Sequence, residues 1–312
     1  MVLFHLAALP LALSAVQAIP APRPEWYLAE PASTTTTTTS ALPTQWYAAD
    51  PTTTSSQASS SAAGTTSSSS SSSAAASATG YVSSKKGVGY NDPSLTRNLA
   101  ISWAYDWQSD GGDGLNEGVE YYPMLWSDQN ASTWPADVEK ALAAGSSALL
   151  GFNEPDIWSQ SDMSISTAVS SWLSNLSPYA GRARLISPAV SNSPQALNIR
   201  WLEYFFGNCT QCAQETSAAA LHWYSDEFNT TAFKTYFQDA YQRLQRPIWI
   251  TEFGVQRFTS SSNVTEKQAF LEDVIPWMEA QPWIEKYGTF VGRFVNKDGS
   301  LTALGETYSN TV

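Results

Sequence analysis

The chain has 312 residues, with 28 acidic against 16 basic side chains and a formal net charge of −12. Such a balance does not neutralise phosphates, so nucleic acid is not an expected partner. Two cysteines are too few for a disulfide-built scaffold, and two histidines, one of them His5, give no metal-ligand spacing, so no metal or other cofactor is expected.

Residues 1–18 read as a secretory signal, apolar from Val2 to Val16 and ending in Val16-Gln17-Ala18, with small residues where a signal peptidase cuts. Pro10 interrupts a run already too short to cross a bilayer. Residues 19–84 are expected to be a disordered stalk. Within it Trp26-Tyr27-Leu-Ala-Glu-Pro returns as Trp46-Tyr47-Ala-Ala-Asp-Pro. An aromatic pair beside an acid suits a sugar or a partner face, and a duplication without function explains it equally well. Residues 33–79 are dominated by Ser, Thr and Ala. They cannot bury enough apolar surface to offset chain entropy. On a secreted chain such a tract is commonly an O-glycosylated stalk, with an unmodified linker as the alternative.

From residue 85 the composition changes. The remaining 228 residues carry 11 of the 13 tryptophans, enough for one domain spanning 85–312. Three acids and one base lie before that point, which leaves 25 against 15 in the domain. Candidate strands are 86–90, 100–105, 120–125, 148–153, 184–190, 218–224, 247–252 and 291–295, short apolar runs bounded by turn residues. Helical patterns fall at 135–144, 166–176, 197–206, 231–244 and 266–279, with the crossover after the first strand too short for more than a minimal helix. Alternating strands and helices predict an α/β chain folded as a small (β/α)8 TIM barrel. An open doubly wound sheet is disfavoured, because Gly87-Val-Gly89-Tyr-Asn lacks the third glycine of a phosphate loop.

Two glutamates end apolar runs: Glu154 in Gly-Phe-Asn-Glu-Pro-Asp after the fourth strand, and Glu252 in Trp-Ile-Thr-Glu-Phe-Gly after the seventh. The C-terminal rim is where barrels of this kind assemble active sites. Paired carboxylates there suit glycosidic bond cleavage, one protonating the leaving oxygen and the other meeting the oxocarbenium-like centre. Asn153 stands where its amide would reach a sugar 2-hydroxyl. Strand ends also deliver Asn91, Trp103, Trp107, Trp126, His222, Trp223 and Tyr224 to the rim. Trp103, Trp107, Trp126 and Trp158 are candidates to stack on pyranose faces, with ordinary packing as the competing account. His222 either orients a carboxylate, touches the sugar, or is a satisfied core histidine. No Gly-x-Ser-x-Gly elbow supports a serine hydrolase.

These segments, in their order, resemble the barrel glycosidases that carry Asn-Glu on strand four and Glu on strand seven. More narrowly the chain is similar to glycoside hydrolase family 128, the alkali-sensitive-linkage-protein-like fungal β-1,3-glucanases. The likeness rests on Lys86-Gly-Val-Gly-Tyr-Asn, Ile101-Ser-Trp-Ala-Tyr-Asp-Trp, Glu120-Tyr-Tyr-Pro-Met-Leu-Trp, Gly151-Phe-Asn-Glu-Pro-Asp, Ser187-Pro-Ala, Cys209-Thr-Gln-Cys, His222-Trp-Tyr and Trp249-Ile-Thr-Glu-Phe-Gly. It runs from about residue 86 to the C-terminus. The resemblance implies Glu154 as acid/base, Glu252 as nucleophile, and retaining cleavage of β-1,3-glucan. Asp106 stands where Asn is expected in a Tyr-Asn-Trp pattern, which leaves one subsite open.

Cys209 and Cys212 are spaced for a short-loop disulfide, for redox chemistry or for half a zinc site; an oxidising compartment favours the disulfide. Asn130, Asn175, Asn208, Asn229 and Asn263 each begin a glycosylation sequon. The C-terminal Tyr-Ser-Asn-Thr-Val carries no apolar tail, so no lipid anchor is expected. The reading is a secreted or wall-associated monomer, an endo-acting β-1,3-glucanase or transglycosylase. Its rivals are a non-catalytic glucan-binding wall protein on the same barrel and a glycosidase for β-1,4-glucan or mannan.

Overall fold

Short apolar runs joined by helical crossovers bury both their faces only in a parallel sheet covered by helices. The computed structural model, which describes residues 82–255 and 264–312, builds that sheet from eight strands. They are β1 (Lys86–Gly89), β2 (Trp103–Tyr105), β3 (Glu120–Tyr121), β4 (Ala148–Leu150), β5 (Arg184–Ile186), β6 (Thr216–Ser225), β7 (Ile248–Val255) and β8 (Ile284–Phe290). Their order is β3-β2-β1-β8-β7-β6-β5-β4. Every pairing is parallel. The two outer strands meet where the chain beyond β3 reaches the end of β4: Met124 bridges Leu150, and the Leu150 N–H donates to the Pro123 carbonyl at 2.9 Å. The sheet thereby closes into the expected (β/α)8 barrel. The signal-like segment, the Trp26/Trp46 repeat, the Ser/Thr tract and Asn263 lie outside the described residues.

The helices are α1 (Trp134–Ala143), α2 (Ile165–Ser171), α3 (Ile199–Asn208), α4 (Thr210–Glu215), α5 (Thr230–Leu244), α6 (Val264–Ala280) and α7 (Ala303–Asn310). Their starts follow local chemistry. Pro135 occupies the first turn of α1, Ser164 accepts from the Thr167 N–H, and Asn229 accepts from the Ala232 N–H. As expected, the crossover after β1 is minimal, a single 3-10 turn at Pro93–Thr96. The helical pattern at 166–176 divides into α2 and a π turn at Trp172–Leu176.

One strand expectation is corrected. The eighth strand is Ile284–Phe290, not 291–295, and Val291–Arg293 is a 3-10 turn. Charge hides it: Glu285 and Lys286 sit in the strand at the lower mouth of the barrel. There Glu285 Oε2 accepts from Arg184 Nη2 at 2.5 Å and from Trp249 Nε1 at 2.9 Å, and Lys286 Nζ donates to the Ser84 carbonyl at 2.7 Å.

The lumen is filled by large rings on one side and small residues on the other. Trp103, Tyr105, Tyr122 and Trp249 meet Ala148, Ala218 and Ala220. Trp103, expected at the rim, lies fully buried at this floor, with its Nε1 donating to the Lys85 carbonyl at 2.8 Å. Gly87 makes that position available, because a Cβ there would lie 2.1 Å from the Trp103 ring.

Below the floor, two adjacent lysines tie the first strand to the last helices. Lys85 Nζ donates to the Glu279 and Gln281 carbonyls at the end of α6, both at 2.9 Å. Lys86, 1% exposed, donates to the Tyr308 and Thr311 carbonyls at the end of α7, both at 2.6 Å. Cations at helix C-termini satisfy carbonyls that have no partner within the helix.

Trp103 has no free side toward which to move, since Tyr105, Tyr122 and Trp249 surround it at ring distances of 5.6–6.0 Å. Gly87→Ala is therefore expected to cost about 1–3 kcal/mol of unfolding free energy in urea titration. An unchanged midpoint would contradict this packing.

Candidate active site

Glu252 lies within β7 and Glu154 four residues beyond β4, and their side chains meet at the upper mouth. Carboxylate oxygens of the two, together with a ring nitrogen of His222, lie within 4.8 Å of one another. Glu252 is saturated with donors from three directions. Its Oε1 accepts from Trp107 Nε1 at 2.8 Å and from the Tyr105 hydroxyl at 3.0 Å, and its Oε2 accepts from the Tyr224 hydroxyl at 2.5 Å. Both phenols are pushed well above the usual tyrosine value, first by burial and then by the Glu252 charge, so each stays a donor.

Two of these residues sit in strained backbone. Trp107 has φ 60° and Glu154 φ 42°, and neither is glycine. Left-handed non-glycine residues cost roughly 1–3 kcal/mol each and concentrate at functional sites. The turn at Trp107 folds its indole back over the mouth, above Gly89, where a Cβ would sit 2.8 Å from the ring. Glu154 is restricted further by the proline that follows it. Its N–H donates to the Ala189 carbonyl at 2.8 Å, which carries the β4 chain alongside the β5 chain as far as the carboxylate.

His222 is fully buried and joins the pair: Nδ1 is 2.9 Å from Glu154 Oε1, and Nε2 is 2.9 Å from Thr251 Oγ1 and 3.5 Å from Glu252 Oε1. A bulge makes this geometry. The β6–β7 register runs Leu221↔Ile250 and then His222↔Glu252, so Thr251 is the extra residue and its hydroxyl turns to the imidazole. Burial pulls the imidazole pKa down, yet the Glu252 charge, the Glu154 hydrogen bond and the charges of Glu154 and Asp156 together raise it above the ordinary histidine value. Among the described residues these three side chains are the one group spaced as metal ligands are. Each ring nitrogen of His222 already has a protein partner.

A cavity of about 460 Å³ opens above the pair, lined by Asn91, Trp107, Trp126, Asn153, Glu154, Gln160, Tyr224, Glu252 and Phe290. It gathers Asn91, Trp107, Trp126, Asn153 and Tyr224 from the residues the sequence singled out. Asn153 is buried, its Nδ2 donates to Gln160 Oε1 at 3.2 Å, and its Oδ1 has no protein partner. Trp103 lies below the cavity, as described. Trp223 faces outward and packs on Phe233 and Phe270, while Trp158 is exposed and does not line the cavity. Asp106 is also outside it, with Oδ1 accepting from the Tyr121 hydroxyl at 2.7 Å.

The sequence reading missed Tyr105, Thr251, Gln160, Phe290 and Asp156. Tyr105 was within reach of the alternation Trp103, Tyr105, Trp107, in which all three face the lumen side. Phe290 was lost with the misplaced eighth strand. No sequence signal marks the bulge at Thr251.

Cys209 and Cys212 form the disulfide, at the start of α4. Asn130, Asn208 and Asn229 are exposed. Asn175 is half-buried, and its Nδ2 donates to the Ser171 carbonyl at 3.0 Å.

Residues 80–308 match the family described as glycosyl hydrolase catalytic core. No curated protein matches the chain. Among solved structures, the chain is 36% identical to a family 128, subgroup III, curdlan-specific exo-β-1,3-glucanase of Blastomyces gilchristii, with 72% of this chain and 97% of that one covered and a TM-score of 0.65. A subgroup II endo-β-1,3-glucanase of Sorangium cellulosum is 27% identical over 73% of this chain and 98% of its own, TM-score 0.62. A subgroup I endo-β-1,3-glucanase of Amycolatopsis mediterranei, in complex with laminaripentaose, is 25% identical over 74% and 100%, TM-score 0.63.

Asp156, 1% exposed, generates a test of the site's electrostatics. Burial raises its pKa to about 6 from 3.8, against the lowering effect of Ser191 hydrogen bonds and with a further push from Glu154. The folded state therefore holds this proton longer than the unfolded chain. Its contribution is fully present below about pH 4 and is lost as pH rises through about 6. Between pH 4 and 7 the native protein should lose about 2 kcal/mol that Asp156→Asn does not, read as paired urea titrations. Equal changes in both proteins would remove Asp156 from the linkage.

Proposed function

Because the chain belongs to the glycosyl hydrolase catalytic core family, and within it to glycoside hydrolase family 128, we propose that it is a retaining, endo-acting β-1,3-glucanase in which Glu154 is the acid/base and Glu252 the nucleophile. The observation that carries this reading is the pair of carboxylates with oxygens within 4.8 Å. Retaining enzymes hold their carboxyl groups about 5–5.5 Å apart, whereas inverting ones leave about 6.5–9.5 Å for a water.

In the first step Glu154 gives its proton to the glycosidic oxygen while Glu252 attacks the anomeric carbon. The leaving glucan departs with a free hydroxyl, and a glycosyl ester forms on Glu252. Glu154, now a carboxylate, takes a proton from water, whose oxygen attacks the same carbon and releases Glu252. A glucan hydroxyl in place of water gives transglycosylation with the same balance. The three donors on Glu252 aim it before substrate arrives, which is the pre-organisation that lowers a barrier. Asn153 lines the cavity, and its buried, unpartnered Oδ1 is the acceptor we assign to a sugar hydroxyl, with the Trp107 and Trp126 rings in the walls as stacking surfaces.

The solved relatives include both exo- and endo-acting enzymes. The ratio of glucose to longer laminari-oligosaccharides released from curdlan separates the two modes. We further propose that the protein is secreted and works on a fungal cell wall. The signal-like residues 1–18, the sequons and the Cys209–Cys212 disulfide support this.

Glu252→Gln and Glu154→Gln should each lower laminarin cleavage by at least about 100-fold. The first product seen by proton NMR should be the β-anomer. Wild-type rates in either variant, or an α-anomer first, would end this reading.

A further inference from the structure

The segment from Ser191 to Asn198, between the end of the β5 chain and the start of α3, touches neither carboxylate, yet it is tied to the supports of both. On one side it is gripped by Asp156, two residues beyond Glu154. Asp156 Oδ1 accepts from the Ser191 N–H at 3.1 Å, and Oδ2 accepts from the Ser191 hydroxyl at 3.0 Å and the Asn198 N–H at 3.2 Å. On the other side Asn192 grips Tyr224 as one strand grips another. Its Oδ1 accepts from the Tyr224 N–H at 2.8 Å, and its Nδ2 donates to the Tyr224 carbonyl at 2.9 Å. Tyr224 in turn donates to Glu252 Oε2.

The segment is itself braced. Asn198 Nδ2 donates to the Ser193 carbonyl at 2.8 Å, the Ser193 N–H donates to Ser191 Oγ at 3.2 Å, and the Tyr236 hydroxyl of α5 donates to the Ser191 carbonyl at 3.3 Å. Asn198, its last residue, has φ 47°. A buried carboxylate with three donors, a bidentate side-chain clamp on backbone and a left-handed residue together over-determine one short loop. Such over-determination is what holds strained backbone, here also that of Glu154, in place.

We propose that residues 191–198 act as a strap that fixes Glu154 relative to Glu252, with Asp156 and Asn192 as positioning residues at its two attachments. Asp156 acts through Glu154, and Asn192 acts through Tyr224 on Glu252. The inference rests on the acid/base and nucleophile roles above, and the two attachments predict different chemical defects. Displacing an acid hurts only substrates whose leaving group needs a proton. Displacing a nucleophile hurts all of them.

The test compares kcat/KM, which reports the first bond-breaking step, on laminarihexaose and on 2,4-dinitrophenyl β-laminaribioside, whose leaving group departs unprotonated. Asp156→Asn places an amide where the Asn198 N–H needs an acceptor. It should lose about tenfold or more on the hexaose and less than about threefold on the aryl glycoside. Ser191→Ala removes one donor from the same attachment and should follow the same pattern with a smaller factor, which keeps the test open should Asp156→Asn not fold. Asn192→Ala should lose similar factors on both substrates. Equal losses on the two substrates for Asp156→Asn and Ser191→Ala, or no loss, would overturn the strap, as would an Asn192→Ala that spares either substrate. Glu154→Gln measured alongside separates the two levels. If it shows no leaving-group dependence, the acid assignment fails; if it does and Asp156→Asn does not, the strap alone fails.

Discussion

Two carboxylates within 4.8 Å of each other repel, and the architecture of the upper mouth is organised around keeping them there. With both ionised and an effective dielectric constant near 20, that repulsion is about 3–4 kcal/mol. It is offset locally. His222 lies beside both carboxylates, whose charges raise its pKa and so favour a protonated ring there, and Glu252 takes hydrogen bonds from Tyr105, Trp107 and Tyr224. The arrangement is a site in which every supporting side chain is itself anchored. Trp107 is seated over Gly89, Tyr224 is clamped by Asn192, and His222 is held by the bulged Thr251.

The distribution of irregular backbone follows from the same constraint. Regular parallel strands alternate side chains between the two faces, so adjacent residues cannot both reach a lumen site. The bulge at Thr251 breaks that rule and lets consecutive residues serve His222. Left-handed conformations at Trp107, Glu154 and Asn198 do comparable work where strands give way to loops. The register also shifts at the floor, at Leu185/Ile186 and at Ile248/Trp249, but there rings and alanines only have to fill space.

How much of this the sequence disclosed depends on the kind of force involved. Strands four and seven, and with them both glutamates, are legible because buried parallel strands are uninterrupted apolar runs that end in Pro or Gly. Their meeting across the mouth follows from counting. Strand eight was not legible, since its first turns of sequence carry Glu285 and Lys286, whose partners Arg184, Trp249 and Ser84 are distant in the chain. Trp103 was read as a rim residue because nothing local tells a floor ring from a mouth ring. The decision is made by Gly87 and Gly288, both near its indole. Asp156 sat in the quoted Asn-Glu-Pro-Asp motif, but its attachment to Ser191 and Asn198 is a tertiary fact with no spacing of its own.

The adjacent lysines at the start of β1, Lys85 just before it and Lys86 its first residue, have a consequence for how the domain comes to exist. β1 pairs with β8, and Lys85 and Lys86 close the ends of α6 and α7, so the first element of the domain finds its partners roughly 200 residues later. During synthesis at about 5–20 residues per second, that strand waits on the order of ten seconds or more with one edge open. Pairing of that edge therefore has to await β8, and a chain halted before β8 would keep the β1 edge unpaired and leave Lys85 and Lys86 without the carbonyls at the ends of α6 and α7. An open strand edge is a template for pairing with another chain, so the interval before β8 is when this domain is most exposed to misassembly.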